Sequence, residues 1–547
     1  MAYRSLSWPT LGLGVDLRSA VDKTDLGFAI DLMNVQFGDR GSILQRSGYD
    51  RWSTSDLTTP GNSVDSYYES DGTRHLLVGA GGNVGETIGD VGEIVAYNMA
   101  GAASDTISTL PTGAPFDSTR FGAPETEETY LGNGFGEMIK YDGTSFTTLP
   151  DNPSPGALAV TTTSNRLVAT AFRTEDGGPE GSPTTNPSTV WFSDPGAPDT
   201  WSAGNYVQLH PGDGEQIQAA IAWGSYIIIF KESKFFVFTG ETTSDAGTPV
   251  FNYYVVDTGH GAASPNGVSA NEHGVVFWDR GDGLMITQGG QPKALSERIN
   301  PVFRSSTHTF WKGGHLNWEG VGQIAVNTLA ERVYINFPVG DDDPLVNNRT
   351  LVYDMLEGWW TIFDVKAQDM VAHSSQESAK PLPYFVQGLG VYDSDGTQLN
   401  DDGVAITSRW SSGWNQFDSP NEKKIRQAKI WGTGHLTFAI GADYKVVGDD
   451  VDVDLGIIGF EPPMWADGTN PAWIWGDGTD PTNLWGPLVE VGAITGATVR
   501  PGAIQGTYLR CEFVNRTADS GWGLHAIDLH EATVRQPSVA VADAGTT

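Results

Sequence analysis

An aromatic residue, an acidic turn carrying glycine, and a fresh apolar run recur as a unit in this sequence. The unit stands at Tyr141-Asp-Gly-Thr144, Trp278-Asp-Arg-Gly-Asp-Gly283, Tyr353-Asp-Met-Leu-Glu-Gly358 and Tyr392-Asp-Ser-Asp-Gly396. Asp-Gly suits a tight hairpin because glycine accepts a positive φ. Between such turns lie short β-branched and aromatic runs, among them Glu93-Ile-Val-Ala-Tyr97, Tyr226-Ile-Ile-Ile-Phe230, Lys234-Phe-Phe-Val-Phe-Thr239, Gly274-Val-Val-Phe-Trp278 and Glu331-Arg-Val-Tyr-Ile-Asn-Phe337. Sixty-eight glycines and 30 prolines punctuate the 547 residues, which favours many short strands over long helices. Brief helices are expected only at residues 25–34 and 295–303, where capping residues precede apolar positions at helical spacing.

The expected fold class is all-β. Hairpins with one signature at intervals of several tens of residues suggest the blades of a β-propeller-like core, with a multi-sheet sandwich as the competing arrangement. Texture divides the chain into an N-terminal segment (1–62), a propeller-like domain (63–399) and a C-terminal β-sandwich (400–547). The last has longer alternating strands such as Lys424-Ile-Arg-Gln-Ala-Lys-Ile-Trp431 and Gly506-Thr-Tyr-Leu-Arg-Cys-Glu-Phe-Val514. Within it, residues 465–485 form a Gly/Asp/Pro loop that repeats Asp-Gly-Thr-Asn/Asp-Pro and carries Trp465, Trp473, Trp475 and Trp485. These four are the candidate interface residues, since tryptophan is enriched where surfaces bind. Stacking on a sugar and covering the sandwich are the other readings of the loop.

Lys and Arg number 32 against 67 Asp and Glu, a formal net charge of −35. A surface so negative repels phosphates, so gripping nucleic acid through basic patches is a poor reading. One cysteine, Cys511, gives no intrachain disulfide and no Cys-x-x-Cys metal knuckle. The N-terminus lacks an apolar signal core and no apolar run is long enough to span a bilayer, so no membrane insertion is expected.

Catalytic signatures are missing. There is no GxxxxGK phosphate loop, HExxH or GxSxG. His260, His273, His308 and His315 show no ligand spacing, and the Asp341–343 and Asp449–454 clusters do not follow the EF-hand pattern, so neither a metal nor another cofactor is assigned. Val190-Trp-Phe-Ser-Asp-Pro-Gly-Ala-Pro-Asp-Thr-Trp201 only echoes a sialidase Asp box, with the wrong spacing. No catalytic residue is assigned, and the chain is read as not an enzyme.

From Glu215 to Phe303 the order of strands and turns resembles the propeller-bearing nozzle, or tail-stabilisation, proteins of short-tailed bacteriophages. The segment runs through Lys234-Phe-Phe-Val-Phe-Thr-Gly240, Thr258-Gly-His-Gly-Ala-Ala-Ser-Pro265, Gly281-Asp-Gly-Leu-Met-Ile286 and Pro292-Lys-Ala-Leu-Ser-Glu-Arg-Ile-Asn-Pro-Val-Phe303. Gly41-Ser-Ile-Leu-Gln-Arg-Ser-Gly-Tyr49 is similar to the opening of those proteins, and Lys423-Lys-Ile-Arg-Gln-Ala-Lys-Ile-Trp431 to their terminal sandwich. The acidity and the Trp-rich loop depart from the pattern.

The resemblance implies a structural virion protein of the phage tail, assembled in the host cytoplasm. Its partners would be itself as a homohexamer ring, the portal and adaptor, other tail proteins, and genomic DNA passing through the lumen without tight binding during ejection. An acidic lumen would keep that DNA mobile. The alternatives are a peripheral receptor-binding tail protein that recognises cell-surface glycan and, third, a propeller glycosidase. A carboxylate pair facing the propeller's central funnel would favour the last.

Overall fold

The computed structural model describes residues 3–535 except 9, 39–40, 70, 82–91, 111–112, 123–126, 161–164, 174–186, 246–248, 305–314, 341–342, 374–380, 395, 418–421, 426, 444, 447–450, 455–494, 500–503, 507 and 517–521. The chain divides into two compact units. One takes in Met1–Gly48 and Leu399–Thr547; the other comprises Tyr49–Thr309 and Gly313–Gln398.

The second unit is a propeller. Its described residues form seven four-stranded antiparallel sheets, six of them built from strands consecutive in sequence. The inner strands are Gly61–Tyr68, Asp117–Phe121, Ala157–Val160, Ala219–Trp223, Val268–Asn271, Ala325–Leu329 and Asp369–His373. Loops of unequal length separate them, which is why the hairpin signature recurs unevenly. The seventh sheet takes its outer strand from the far end of the unit: Asp50–Arg51 pairs with Gly390–Asp393, setting Arg51 opposite Tyr392. The ring is thus closed by the residues with which the unit begins.

Each blade is buried on both faces, so its strands read as continuous apolar runs rather than alternating ones. In Tyr226–Phe230, Ile227 and Ile229 join Val168, Val190 and Phe192 of the third sheet. Ile228 and Phe230 of the same strand join Val275, Phe277 and Met285 of the fifth. Similarly, Leu76 and Val78 pack with Tyr384 and Val386 of the seventh sheet, whereas Leu77 packs with Leu131, Ile139 and Tyr141 of the second. Burying each such side chain stabilises by about 1.5–3 kcal/mol.

The aromatic-Asp turns share one local chemistry. Asp142, Asp279 and Asp354 each accept, at one carboxylate oxygen, the backbone N–H groups two and three residues on, at 2.8–3.1 Å. Gly143, Gly283 and Gly358 supply the positive φ. Three of the four motifs end the third strand of a blade, while Trp278 ends a second strand.

The first unit contains one sheet of eight strands and another of six. Tyr3–Trp8 and Gln427–Thr433 both pair with the long Gly523–Arg535 strand, and Ala29–Met33 joins the six-stranded sheet beside Ser408–Ser412. Two expectations are corrected. Residues 1–62 are not a separate segment: those up to Gly48 complete the C-terminal sheets and the rest open the propeller. Residues 25–34 contain a strand where a helix was expected. Ala29–Met33 is buried along its whole length, and Asp31 within it is neutralised by Arg409 at 2.6 Å. At the other expected helix, a 3-10 turn at Glu297–Ile299 and one helical turn at Pro301–Arg304 form.

Candidate functional site

The loops that lead into the inner strands and those joining second to third strands frame a cavity of about 290 Å³ within the propeller unit. Concave sites of this kind are where small ligands bind. The lining is rich in amides: Asn62, Asn133, Gln218, Asn266, Gln323, Asn347 and Gln368. Ala114, Pro115, Phe135 and Pro265 add apolar wall. Among the described residues that line it, Arg173 is the one charged side chain and none is Asp or Glu.

Two of these residues carry unspent hydrogen-bonding capacity. Arg173 is held between glycines, for a Cβ on Gly134 would stand 2.4 Å from its Cγ and one on Gly156 would stand 3.4 Å from its Nε. Its side-chain contacts are neutral and long, at 3.4 Å to Gln216 Oε1 and 3.5 Å to the Ile217 carbonyl. Burial pulls its pKa down, and no acid among the described residues pushes back. Asn347 is 1% exposed. Its Nδ2 donates to the carbonyls of Gln323 and Gln368 at 2.8 and 3.1 Å, which fixes the amide's orientation. Its Oδ1 then remains a buried acceptor without a donor. Gln368 locks the same loop by accepting from Asn347 N at 3.0 Å and donating to its carbonyl at 2.9 Å.

Deeper in the ring, inner-strand carboxyls fasten one blade to the next. Asp369 accepts from Val64 N at 3.0 Å and from Asn327 Nδ2 at 2.9 Å. Asp117 accepts from Leu158 N at 2.8 Å and Ser118 N at 2.9 Å, and Asp65 accepts from Ser118 Oγ. Burial pushes Asp117 up to about 7 and Asp369 to about 6, over the opposing pull of these bonds, and raises Asp65 as well. None of the three lines the cavity. The bonds from Val64 N, Ser118 Oγ and Leu158 N each tie one blade to the next.

A buried cation sits beside the fourth blade. Lys231, with no exposed surface, bonds both oxygens of Asp213 and Ser188 Oγ at 2.9 Å. Burial raises the pKa of Asp213, but bonds from Lys231, Glu215 N and Lys234 outweigh it and hold the carboxyl down at about 2.

Of the histidines singled out by sequence, His260 approaches Asp279 and Asp282, its Nδ1 lying 3.4 and 3.7 Å from their oxygens. These three could hold a cation. Their other bonds account for the carboxylates, however: Asp279 accepts Gly261, Gly281 and Asp282 N–H groups, and Asp282 pairs with Arg304. His273 stands apart beside Glu272. His308, Asp341, Asp342, Asp449, Asp450 and the candidate interface residues Trp465, Trp473, Trp475 and Trp485 lie outside the described residues. Arg173 and Asn347 escaped sequence reading because each is a lone residue in a separate loop with no motif around it.

No protein-family model matches the chain, and no curated protein does. Among solved structures, it is similar to the extracellular domain of a putative hybrid two-component system from B. thetaiotaomicron, with 11% identity and a TM-score of 0.36. That likeness covers 76% of this chain and spans 49% of that one.

Proposed function

We propose that this chain is a structural component of a bacteriophage tail, a nozzle or hub protein that assembles with copies of itself. The observation that carries the reading is the outer edge of the fourth blade. Pro249–Asp257 is the last strand of its sheet, and eight of its residues in a row, Pro249-Val-Phe-Asn-Tyr-Tyr-Val-Val256, are uncharged. Val250, Tyr253, Tyr254 and Val255 are all more than a third exposed. A long apolar edge strand is a template for pairing unless it is covered. Copies of a chain with net charge −35 repel one another, and so would meet best along a stretch without charge.

Two further points support the reading. The ordered sequence resemblance implies a propeller and a terminal sandwich, both of which the fold contains. The inner-strand carboxyls serve as blade-to-blade acceptors, which favours a scaffold over a hydrolase. In this role the chain joins portal and adaptor to the distal tail, and DNA passes along the axis of the assembled ring.

Light scattering of the purified chain together with electron microscopy of the particle tests this. A closed ring on the tail axis is expected, and Tyr253→Lys with Val255→Lys should dissolve it while leaving the circular dichroism spectrum intact. A monomer, or a peripheral spike away from the axis, would move the assignment to receptor binding.

A further inference from the structure

The cavity at the propeller mouth has a chemistry that the assembly role does not use. In a chain with 67 acidic residues, the described residues of its wall include none, and their single charge is a guanidinium whose side-chain bonds go to neutral acceptors. A cation partly withdrawn from water pairs favourably with an anion that brings its own charge and hydrogen bonds. Here the anion's place is open to a ligand. The second observation is independent of charge. Asn347 Oδ1 is buried, oriented by two bonds from its own Nδ2, and lacks a donor. A ligand that satisfies both must bring an anionic acceptor and a hydroxyl or amide donor within one small body. Further amides around the wall, those of Gln218 and Asn266 among them, suit additional hydroxyls, and Phe135 and Pro265 offer apolar faces to a ring.

We propose that this cavity binds the acidic monosaccharide unit of a glycan, with its carboxylate on the Arg173 guanidinium and a ring hydroxyl donating to Asn347 Oδ1. A cavity of about 290 Å³ is of the size for one sugar ring rather than an oligosaccharide. Charge-assisted pairing of guanidinium with carboxylate selects the acid, and the orphaned acceptor selects against ligands without a donor. A nucleic-acid strand is disfavoured because one arginine in an acidic chain neutralises too little phosphate. The site does not depend on the tail assignment: a tail protein would use it to meet a host-surface glycan, and the same pocket would serve a chain of another origin.

Saturation-transfer NMR on the full chain is the test, with D-glucuronate and N-acetylneuraminate as probes and D-glucose and inorganic phosphate as controls. Transfer to at least one acidic sugar is expected, with none to glucose and no displacement by equimolar phosphate. Arg173→Gln should weaken the acidic sugar at least tenfold with an unchanged melting temperature, and 0.5 M NaCl should weaken it in the wild-type protein. Three results would overturn the proposal: no transfer to either acid, equal transfer to glucose, or full displacement by phosphate, which would mark a simple anion site. Unchanged binding in Arg173→Gln would overturn it too. Because the sugar comparison is made on the wild-type chain, it decides the matter even if the variant fails to fold.

Discussion

The propeller ring is closed by a short strand. Asp50 and Arg51 pair with the seventh sheet, followed by Trp52 N and Ser53 N on the Val391 carbonyl at 2.9 and 3.1 Å and by Leu57 N and Gly61 N on the Leu389 and Gly388 carbonyls at 2.9 and 2.8 Å. What anchors this short strand is Tyr49, buried against Val352, Val365, Met370 and Phe385. Its ring meets Phe385 and Tyr392 edge-on, with centroids 5.1 and 5.4 Å apart. Replacing Tyr49 with Ala removes a side chain that is 9% exposed and leaves a cavity between the sixth and seventh sheets. The loss should be about 3–5 kcal/mol, of which the two edge contacts account for about 1–3. A two-residue pairing cannot offset that, so the cost falls on opening of the closing sheet. Hydrogen exchange read by mass spectrometry should show protection of Leu382–Gln387 and Gly390–Asp393 falling by about two to three and a half decades, at about 1.4 kcal/mol per decade. Tyr226–Phe230, in the fourth blade, should keep its protection. Loss below threefold in the seventh sheet, or equal loss in both places, would refute the closure argument.

Two more predictions concern charge. Asp117 is raised to about 7 by burial, so the folded state holds this proton more tightly than the unfolded chain, and stability from it is present below about pH 4 and lost as pH rises to about 7. Asp117→Asn cannot lose a proton, so its stability relative to wild type should rise between pH 4.5 and 7.5 by about 3 kcal/mol, measured by urea unfolding at both; a flat difference counts against the buried latch. Lys231→Met leaves Asp213 with Lys234 and Glu215 N and strips a donor from Ser188 and the His210 carbonyl, for a loss of about 3–5 kcal/mol. Since Asp213 is held near 2, wild-type stability from this pair should fade as pH drops from about 4 to about 2, a loss that is smaller in the variant.

Much of the fold is legible in the sequence because the propeller buries both faces of every blade. A run such as Tyr226-Ile-Ile-Ile-Phe230 needs no alternation, and its side chains part between two clusters in strict order. The turns are legible for a local reason, an aspartate that bonds its own backbone. What escapes reading is settled at long range. Nothing near Asp31 announces a strand, because the arginine that lets it be buried is Arg409. Nor does the N-terminal segment signal its own sheet, for Tyr3 lies opposite Thr533. The candidate site is of the same kind: Arg173 and Asn347 come from the third and sixth blades, and only ring closure brings their loops to one cavity.

Read by composition, the acidity of the chain suggests solubility or a repulsive lumen. Its placement shows an architectural use as well. Asp142, Asp279 and Asp354 shape hairpins, Asp65, Asp117 and Asp369 fasten blades, and Asp31, Asp213 and Asp401 neutralise Arg409, Lys231 and Arg46. A carboxylate is well suited to these tasks because it accepts several hydrogen bonds at once from N–H groups that strands leave unpaired at corners and inner edges. A propeller with seven blades has many such corners. The excess of acids over bases is therefore in part a consequence of the fold, and against it stands the mouth, whose described lining carries Arg173 and no carboxylate.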